Sequence, residues 1–331
     1  MQFRGGSRLL AFLISVSLCP LPVAAQDKPV ATFKSGVDLV SVSAVVRDEK
    51  GRVVRSLTQK DFVVIDGGRQ RKIVELHSDE NAPASVALLV DGSGSMAVGA
   101  ALDSSRHICN WVLTTLDEKK DDAALLSFDT RLLKVRDFTR RFENIRSGLG
   151  ELEAFGQTSL YDAIAGTSSM VSQRARNRRA VIVLTDGADT SSSYTPGEVA
   201  WIASTIDVPV YVFAVSQTIT PEADAKERNL PVPPNPLADL ARATGGDYFI
   251  AGSPTLAVNG ILRLVEELRH QYLIAFEPSS VTGMRTLEIK VRRNNLRVTS
   301  RRWYNSGAAS AGDLDLQNSR LKRETTTGTL R

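Results

Sequence analysis

The sequence predicts an α/β protein, with a doubly wound, mostly parallel sheet flanked by N- and C-terminal β segments that form a small β-sandwich. Three observations carry that expectation. Between Ala84 and Leu268, short continuous apolar runs alternate with segments of helical spacing, the pattern of a parallel sheet covered by helices on both faces. On either side of this region the apolar residues recur every second position, as in half-buried antiparallel strands. The chain of 331 residues is 42% hydrophobic and 24% charged, enough for about two cores and unlike a disordered or collagenous chain.

The first residues read as a targeting segment. Arg4 and Arg8 precede the largely apolar stretch Leu9–Leu18, and Val23-Ala24-Ala25 offers small residues for cleavage before Gln26, which makes 1–25 a signal peptide. The apolar stretch is shorter than the ~20 residues a spanning helix needs, and no later run reaches that length. An exported protein, periplasmic or extracellular, is expected, with no spanning membrane segment after cleavage. Cys19 does not fit a lipidation site, because Leu18 directly precedes it and Pro20 follows. Cleavage lowers the 41 basic residues to 39 and the formal charge from +4 to +2. That small, unclustered excess argues against nucleic acid as a partner. Of the two cysteines only Cys109 remains, so no internal disulfide holds the mature fold.

The elements follow in order. Residues 26–81 form the N-terminal β segment. Val40, Val42, Ala44 and Val46 alternate along one strand, and Asp48-Glu49-Lys50-Gly51 turns the chain before Val53 and Val54. Phe62–Ile65 and Ile73–Leu76 flank Asp66-Gly67-Gly68, a hairpin signal. Residues 82–268 form the α/β domain. Strands are expected at Val86–Val90, Ala123–Phe128, Ala180–Leu184 and Val210–Val215. Ala101, Ser105, Ile108, Cys109, Val112 and Leu116 recur with helical spacing, which puts Cys109 on the inward face as a small hydrophobe. Further helices are expected at Leu160–Gln173, Glu198–Ile206, Leu237–Ala243 and Val258–Leu268, with Gly245-Gly246 as the stop after the third. The Pro-rich stretch Thr218–Pro236 reads as a long loop. Residues 269–305 return to strands, Gln271–Phe276, Thr286–Arg292 and Leu296–Trp303, the last two joined by a turn at Asn294-Asn295. Residues 306–331, without an aromatic residue, read as a disordered tail.

The first buried strand runs into Asp91-Gly92-Ser93-Gly94-Ser95, which sets a carboxylate and two hydroxyls at alternate positions in a tight turn. Ligands of open α/β sheets bind at that edge, and oxygen donors of this kind suit Mg²⁺, Mn²⁺ or Ca²⁺ better than zinc. A second hydroxyl cluster, Gly156-Gln157-Thr158-Ser159, precedes a helix. A third segment, Leu184-Thr185-Asp186-Gly187, ends another buried strand. Three loops at one sheet edge can meet at a single cation.

With these residues the chain resembles the von Willebrand factor type A superfamily, from about Ala84 to Leu268, and as a whole it is similar to the exported VWFA-related proteins of acidobacteria. The resemblance implies a Rossmann-like fold and a metal-ion-dependent adhesion site made of Asp91, Ser93, Ser95, Thr158 and Asp186. It further implies that Ser93, Ser95 and Thr158 bind Mg²⁺ (or Mn²⁺ or Ca²⁺) through their hydroxyls, while Asp91 and Asp186 act mainly through water and by orienting them. On that reading an Asp or Glu of a protein partner completes the cation's coordination, in a non-enzymatic adhesion module. Asp162, Asp189 and Ser159 read as capping residues beside the site. Two alternatives stand beside it: a metal-independent envelope assembly or scaffold protein, and a metal-dependent hydrolase. A P-loop is absent from the sequence, Gly92-Ser93-Gly94-Ser95 is out of phase with a nucleophile elbow, and His77, His107 and His270 are too scattered for a zinc set. The basic run Arg174–Arg179 reads as a solvated helix end.

Overall fold

A computed structural model describes residues 39–175, 178–215 and 234–307. The signal peptide 1–25 with Cys19, most of the Pro-rich stretch and all but the first two residues of the tail lie outside the described residues. Four strands open the chain: β1 (Val40–Arg47), β2 (Phe62–Asp66), β3 (Arg69–Arg71) and β4 (Ile73–His77). The α/β region follows as β5 (Ala84–Asp91), α1 (Ala101–Thr115), β6 (Asp122–Phe128), β7 (Leu132–Thr139), α2 (Phe142–Gly150), α3 (Leu160–Ser172) and β8 (Arg178–Thr185). It continues through α4 (Pro196–Thr205), β9 (Val210–Ala214), α5 (Pro236–Ala243), β10 (Tyr248–Ile250) and α6 (Pro254–Arg269). Four strands close the chain: β11 (Tyr272–Phe276), β12 (Gly283–Val291), β13 (Arg297–Ser300) and β14 (Trp303–Ser306).

The central sheet has the order β10-β9-β8-β5-β6-β7, parallel except for the edge strand β7. All eight residues of β5 are buried, as a strand covered on both faces must be. Its alternate residues feed two cores. Val86, Leu88 and Val90 meet Ile108 and Val112 of α1 and Leu264 of α6. Ala87 and Leu89 meet Ile164 of α3, Val199 of α4 and Leu240 of α5. Cys109 is fully buried in the first core, and that burial pushes its thiol well above the ordinary range. Gly245, at φ 90°, ends α5 in the left-handed region, where only glycine is unstrained.

Two antiparallel sheets, β13-β1-β11-β4 and β14-β12-β2-β3, each combine strands from both ends of the chain. They enclose one apolar core, in which Val42, Val46, Phe62 and Val64 meet Ile274, Phe276, Leu287 and Tyr304. Phe62 packs edge-on against Tyr272 and Phe276 against Tyr304. No helix among the described residues is long and apolar enough to cross a membrane.

Some connections differ from expectation. Asp66-Gly67-Gly68 does turn the chain, but β2 pairs with the three-residue β3, and β4 then crosses to the other sheet to pair with β11. Asn295 turns the chain with φ 68°, yet the strands on either side, β12 and β13, lie in different sheets. Leu296–Trp303 is not one strand: it breaks at Arg301, whose buried guanidinium donates to the carbonyls of Ser204, Thr205 and Ser41. The final strand β14 ends at Ser306, so residue 306 belongs to a strand and not to the expected tail. The basic run is not simply solvated either. Arg178 is buried and donates to the carbonyls of Asp79 and Glu80, and Arg179 donates to those of Ser172 and Ile206.

Candidate metal centre

Order in the central sheet sets the site. From β5 the chain moves outward to β6 and β7, then returns to β8 on the other side of β5. The carboxyl ends of β5 and β8, where Val90 lies opposite Leu184, therefore form the crevice at which the strand order reverses. Asp91 is the last residue of β5 and Asp186 directly follows β8.

Asp91 is fully buried and both its oxygens are engaged. Oδ1 accepts from the Ser93 backbone N–H at 2.8 Å and Oδ2 from the Thr185 hydroxyl at 2.6 Å. Burial pushes the Asp91 carboxyl above its ordinary range, outweighing the hydrogen bonds from Thr185 and Ser93, and the nearby Asp186 adds to the rise. Ser93 Oγ is 3.1 Å from Ser95 Oγ. Ser93 is buried and Ser95 exposed, so this chain of oxygens leads from the strand end to solvent. A Cβ at Gly92 would stand 2.9 Å from Ser127 Oγ and 3.1 Å from the Glu153 carbonyl, which is why the turn needs glycine there.

Thr158 lies two residues before α3, only 3% exposed. Its loop is tied to the other two by backbone bonds. Gly94 N–H donates to the Gly156 carbonyl at 3.0 Å, and the Thr158 carbonyl accepts from Thr190 and Ser191 at 2.9 and 3.0 Å. The structure thus laces all three predicted loops together. Asp91, Ser93 and Ser95 are in direct hydrogen-bonded sequence, whereas Thr158 and Asp186 are placed by their loops and touch none of those three through a hydrogen bond among the described residues.

Residues 189–195 act as a clamp on α3. Asp189 accepts from Leu160 N–H and from the Ser192 hydroxyl, and Asp162 accepts from the N–H groups of Ser193 and Tyr194. Ser159 and Ser191 pair through their hydroxyls at 2.8 Å. These acids and hydroxyls hold the Thr158 loop, as capping residues do. Thr185, which donates to Asp91, is the residue of this crevice that motif reading missed. Its sequence signal was its place directly before Asp186, at the end of a strand whose neighbour ends in Asp91.

Do these residues suit a divalent cation? No Lys, Arg or His pairs with Asp91 or Asp186 among the described residues, so a buried carboxylate and its neighbour lack a compensating charge. The Thr158 hydroxyl makes no hydrogen bond to any described residue. Hard oxygen donors with two carboxylates match Mg²⁺, Mn²⁺ or Ca²⁺. No group of three or more His, Cys, Asp or Glu that could hold a metal ion is gathered among the described residues, at this crevice or elsewhere, and a site rich in hydroxyls does not depend on one.

Residues 86–188 match the family model of the von Willebrand factor type A domain. No curated protein matches the chain. Among solved structures, the chain is similar to the conserved hypothetical protein BatB from Bacteroides thetaiotaomicron, with 17% identity, 56% of this chain and 98% of that one covered, and a TM-score of 0.43. It is similar to the PilB minor pilin from Streptococcus sanguinis, with 11% identity, 57% of this chain and 61% of that one covered, and a TM-score of 0.44. A von Willebrand factor type A protein from Catenulispora acidiphila shares 14% identity over 82% of this chain and 74% of its own, with a TM-score of 0.45.

Proposed function

We propose, from the match of residues 86–188 to the von Willebrand factor type A domain, that this protein is an exported, non-enzymatic binding module that captures a protein partner through a divalent cation held by Asp91, Ser93, Ser95, Thr158 and Asp186. The observation that carries this reading is the pair of carboxylates at the switch point of the sheet, one of them fully buried, with no cationic partner among the described residues. Ser93, Ser95 and Thr158 supply hydroxyl oxygens. Thr185 and the Ser93 N–H fix both oxygens of Asp91, so that carboxylate orients the hydroxyls more than it ligates. When bound, Mg²⁺ (or Mn²⁺ or Ca²⁺) supplies a Lewis-acidic position that a partner's Asp or Glu can fill.

Binding is favoured over hydrolysis by how the neighbouring acids are used. A general base for a metal-bound water must be free to accept its proton, and the two acids of the loop that follows Asp186 and of α3, Asp189 and Asp162, are instead engaged with backbone N–H groups of the α3 clamp. The test is capture of acidic-tailed protein probes on immobilised protein, with Mg²⁺ and then with EDTA. Capture is expected in Mg²⁺ and its loss in EDTA. Capture that survives both EDTA and the double substitution S93A/S95A would instead establish a metal-independent scaffold.

A further inference from the structure

Directly beside the site loop lies a groove of about 270 Å³, bordered by Gly92, Leu133, Phe155, Asp129, Glu151 and Glu153. Its apolar wall is unusual in being exposed: Phe155 is 82% and Leu133 54% accessible. Phe155 is also held outward. Its N–H donates to the Gly92 carbonyl at 2.7 Å, and the next residue, Gly156, accepts from Gly94 N–H and sits at φ 90°. The segment carrying Phe155 is thus paired along the same turn that presents Ser93 and Ser95. The rim is acidic. Glu151 is ion-paired with Arg136, but neither Asp129 nor Glu153 has an ion-pair partner among the described residues.

Resting on the cation-binding reading above, we propose that this groove takes a basic side chain, Arg or Lys, of the same partner segment whose carboxylate reaches the Asp91 site. The volume holds one long side chain. The stem lies along Phe155 and Leu133, and the charged end meets Asp129 and Glu153, the division of apolar stem and polar head that long cationic side chains favour. Because Gly92 borders the groove and also separates Asp91 from Ser93, the two recognised residues of the partner lie within a few positions of each other. The module then selects acidic residues with a basic neighbour and discriminates against uniformly acidic segments, whose second carboxylate would face Asp129 and Glu153.

A random peptide library displayed on phage, selected on the full chain in Mg²⁺ and eluted with EDTA, tests this. Enriched peptides are expected to share an Asp or Glu with an Arg or Lys a few residues away. Their affinity should fall about tenfold in E153Q and in F155A, both exposed positions, with the Mg²⁺ requirement unchanged. Enrichment of acidic peptides without a basic residue, or equal affinity for E153Q and F155A, overturns the groove assignment and leaves the cation reading intact. No EDTA-eluted peptide with an acidic residue overturns the cation reading and the groove assignment with it.

Discussion

Thr185 shows how much of the candidate centre rests on residues that bind nothing themselves. Its hydroxyl donates to Asp91 at 2.6 Å and accepts from Gly187 N–H at 3.0 Å, so one side chain couples the ends of β5 and β8. Outer partners of this sort typically change metal affinity by about 10–100-fold. Thr185→Val, equal in shape but without the hydroxyl, should weaken Mg²⁺ binding in calorimetry by about that factor and leave the circular dichroism spectrum unchanged. A second buried carboxylate works at the opposite end of the strands. Asp121 accepts from Ala84 and Asp117 N–H groups at 3.0 and 2.8 Å and pairs with Arg269. Burial alone would raise its pKa, but the bonds from Arg269, Asp117 and Ala84 outweigh that and hold it below the ordinary carboxylate range. The native state therefore prefers the charged form. Its contribution is complete above the unfolded carboxylate pKa and is lost as pH falls through the lower folded value. Asp121→Asn should cost about 3–5 kcal/mol in urea denaturation at pH 7, with less further loss than the wild type between pH 4 and 2. The three loops that carry Asp91, Ser93, Ser95, Thr158 and Asp186 were legible because two of them follow long buried strands and the third opens a helix. Thr185 was not, since a threonine at the end of a buried strand reads equally as β propensity.

At the scale of elements, what joins them decides what can be replaced. Gly246 passes so close to the start of β9 that a Cβ would lie 2.0 Å from the Val210 carbonyl oxygen. Backbone cannot yield there as a flexible side chain could, so Gly246→Ala should destabilise by about 3 kcal/mol or more, read as a lowered urea midpoint. The sequence had marked Gly245-Gly246 only as a helix stop, because local pattern does not reveal which strand the chain approaches. The strands and helices around the candidate site were legible from long buried runs and 3.6-residue spacing. The elements missed were short or peripheral: β7 on the sheet edge, the nine-residue α2 and the three-residue β10. The run of β10 is too short to read as a strand, and in β7 charged residues interrupt the apolar ones while Leu133 points to solvent. The two changes of sheet, from β12 to β13 and from β3 to β4, could not be read as such, because Asn294-Asn295 and Asp66-Gly67-Gly68 specify a reversal of direction but not the sheet in which the following strands pair.

Across the whole molecule, the site end and the opposite end of the α/β region have different tasks. The strand ends at Asp91 and Asp186 carry hydroxyls, glycines and acids that have no cationic partner among the described residues, whereas the other end is fastened to the β-sandwich by buried arginines. Arg47 of β1 bonds Glu267 of α6 at 2.7 Å, and Arg301, between β13 and β14, pairs with Asp207 at 3.2 Å. Since β11 lies between β1 and β4, the sandwich cannot form from either end of the chain alone. A chain lacking residues 39–77 should therefore leave 272–306 open to proteases, with cleavage in that segment at enzyme concentrations that spare the full chain. The shared core between distant segments was foreseeable from the two flanking β patterns, but not the interleaved order of the strands, which depends on pairing across more than two hundred residues. The proposed divalent-cation centre of Asp91, Ser93, Ser95, Thr158 and Asp186 is open to direct measurement. Isothermal titration of Mg²⁺ into the metal-stripped full chain, alongside Asp91→Ala, tests it most directly: one saturable site in the wild type and none in the folded variant is the predicted result, while no Mg²⁺, Mn²⁺ or Ca²⁺ binding, or equal binding by both chains, would contradict it.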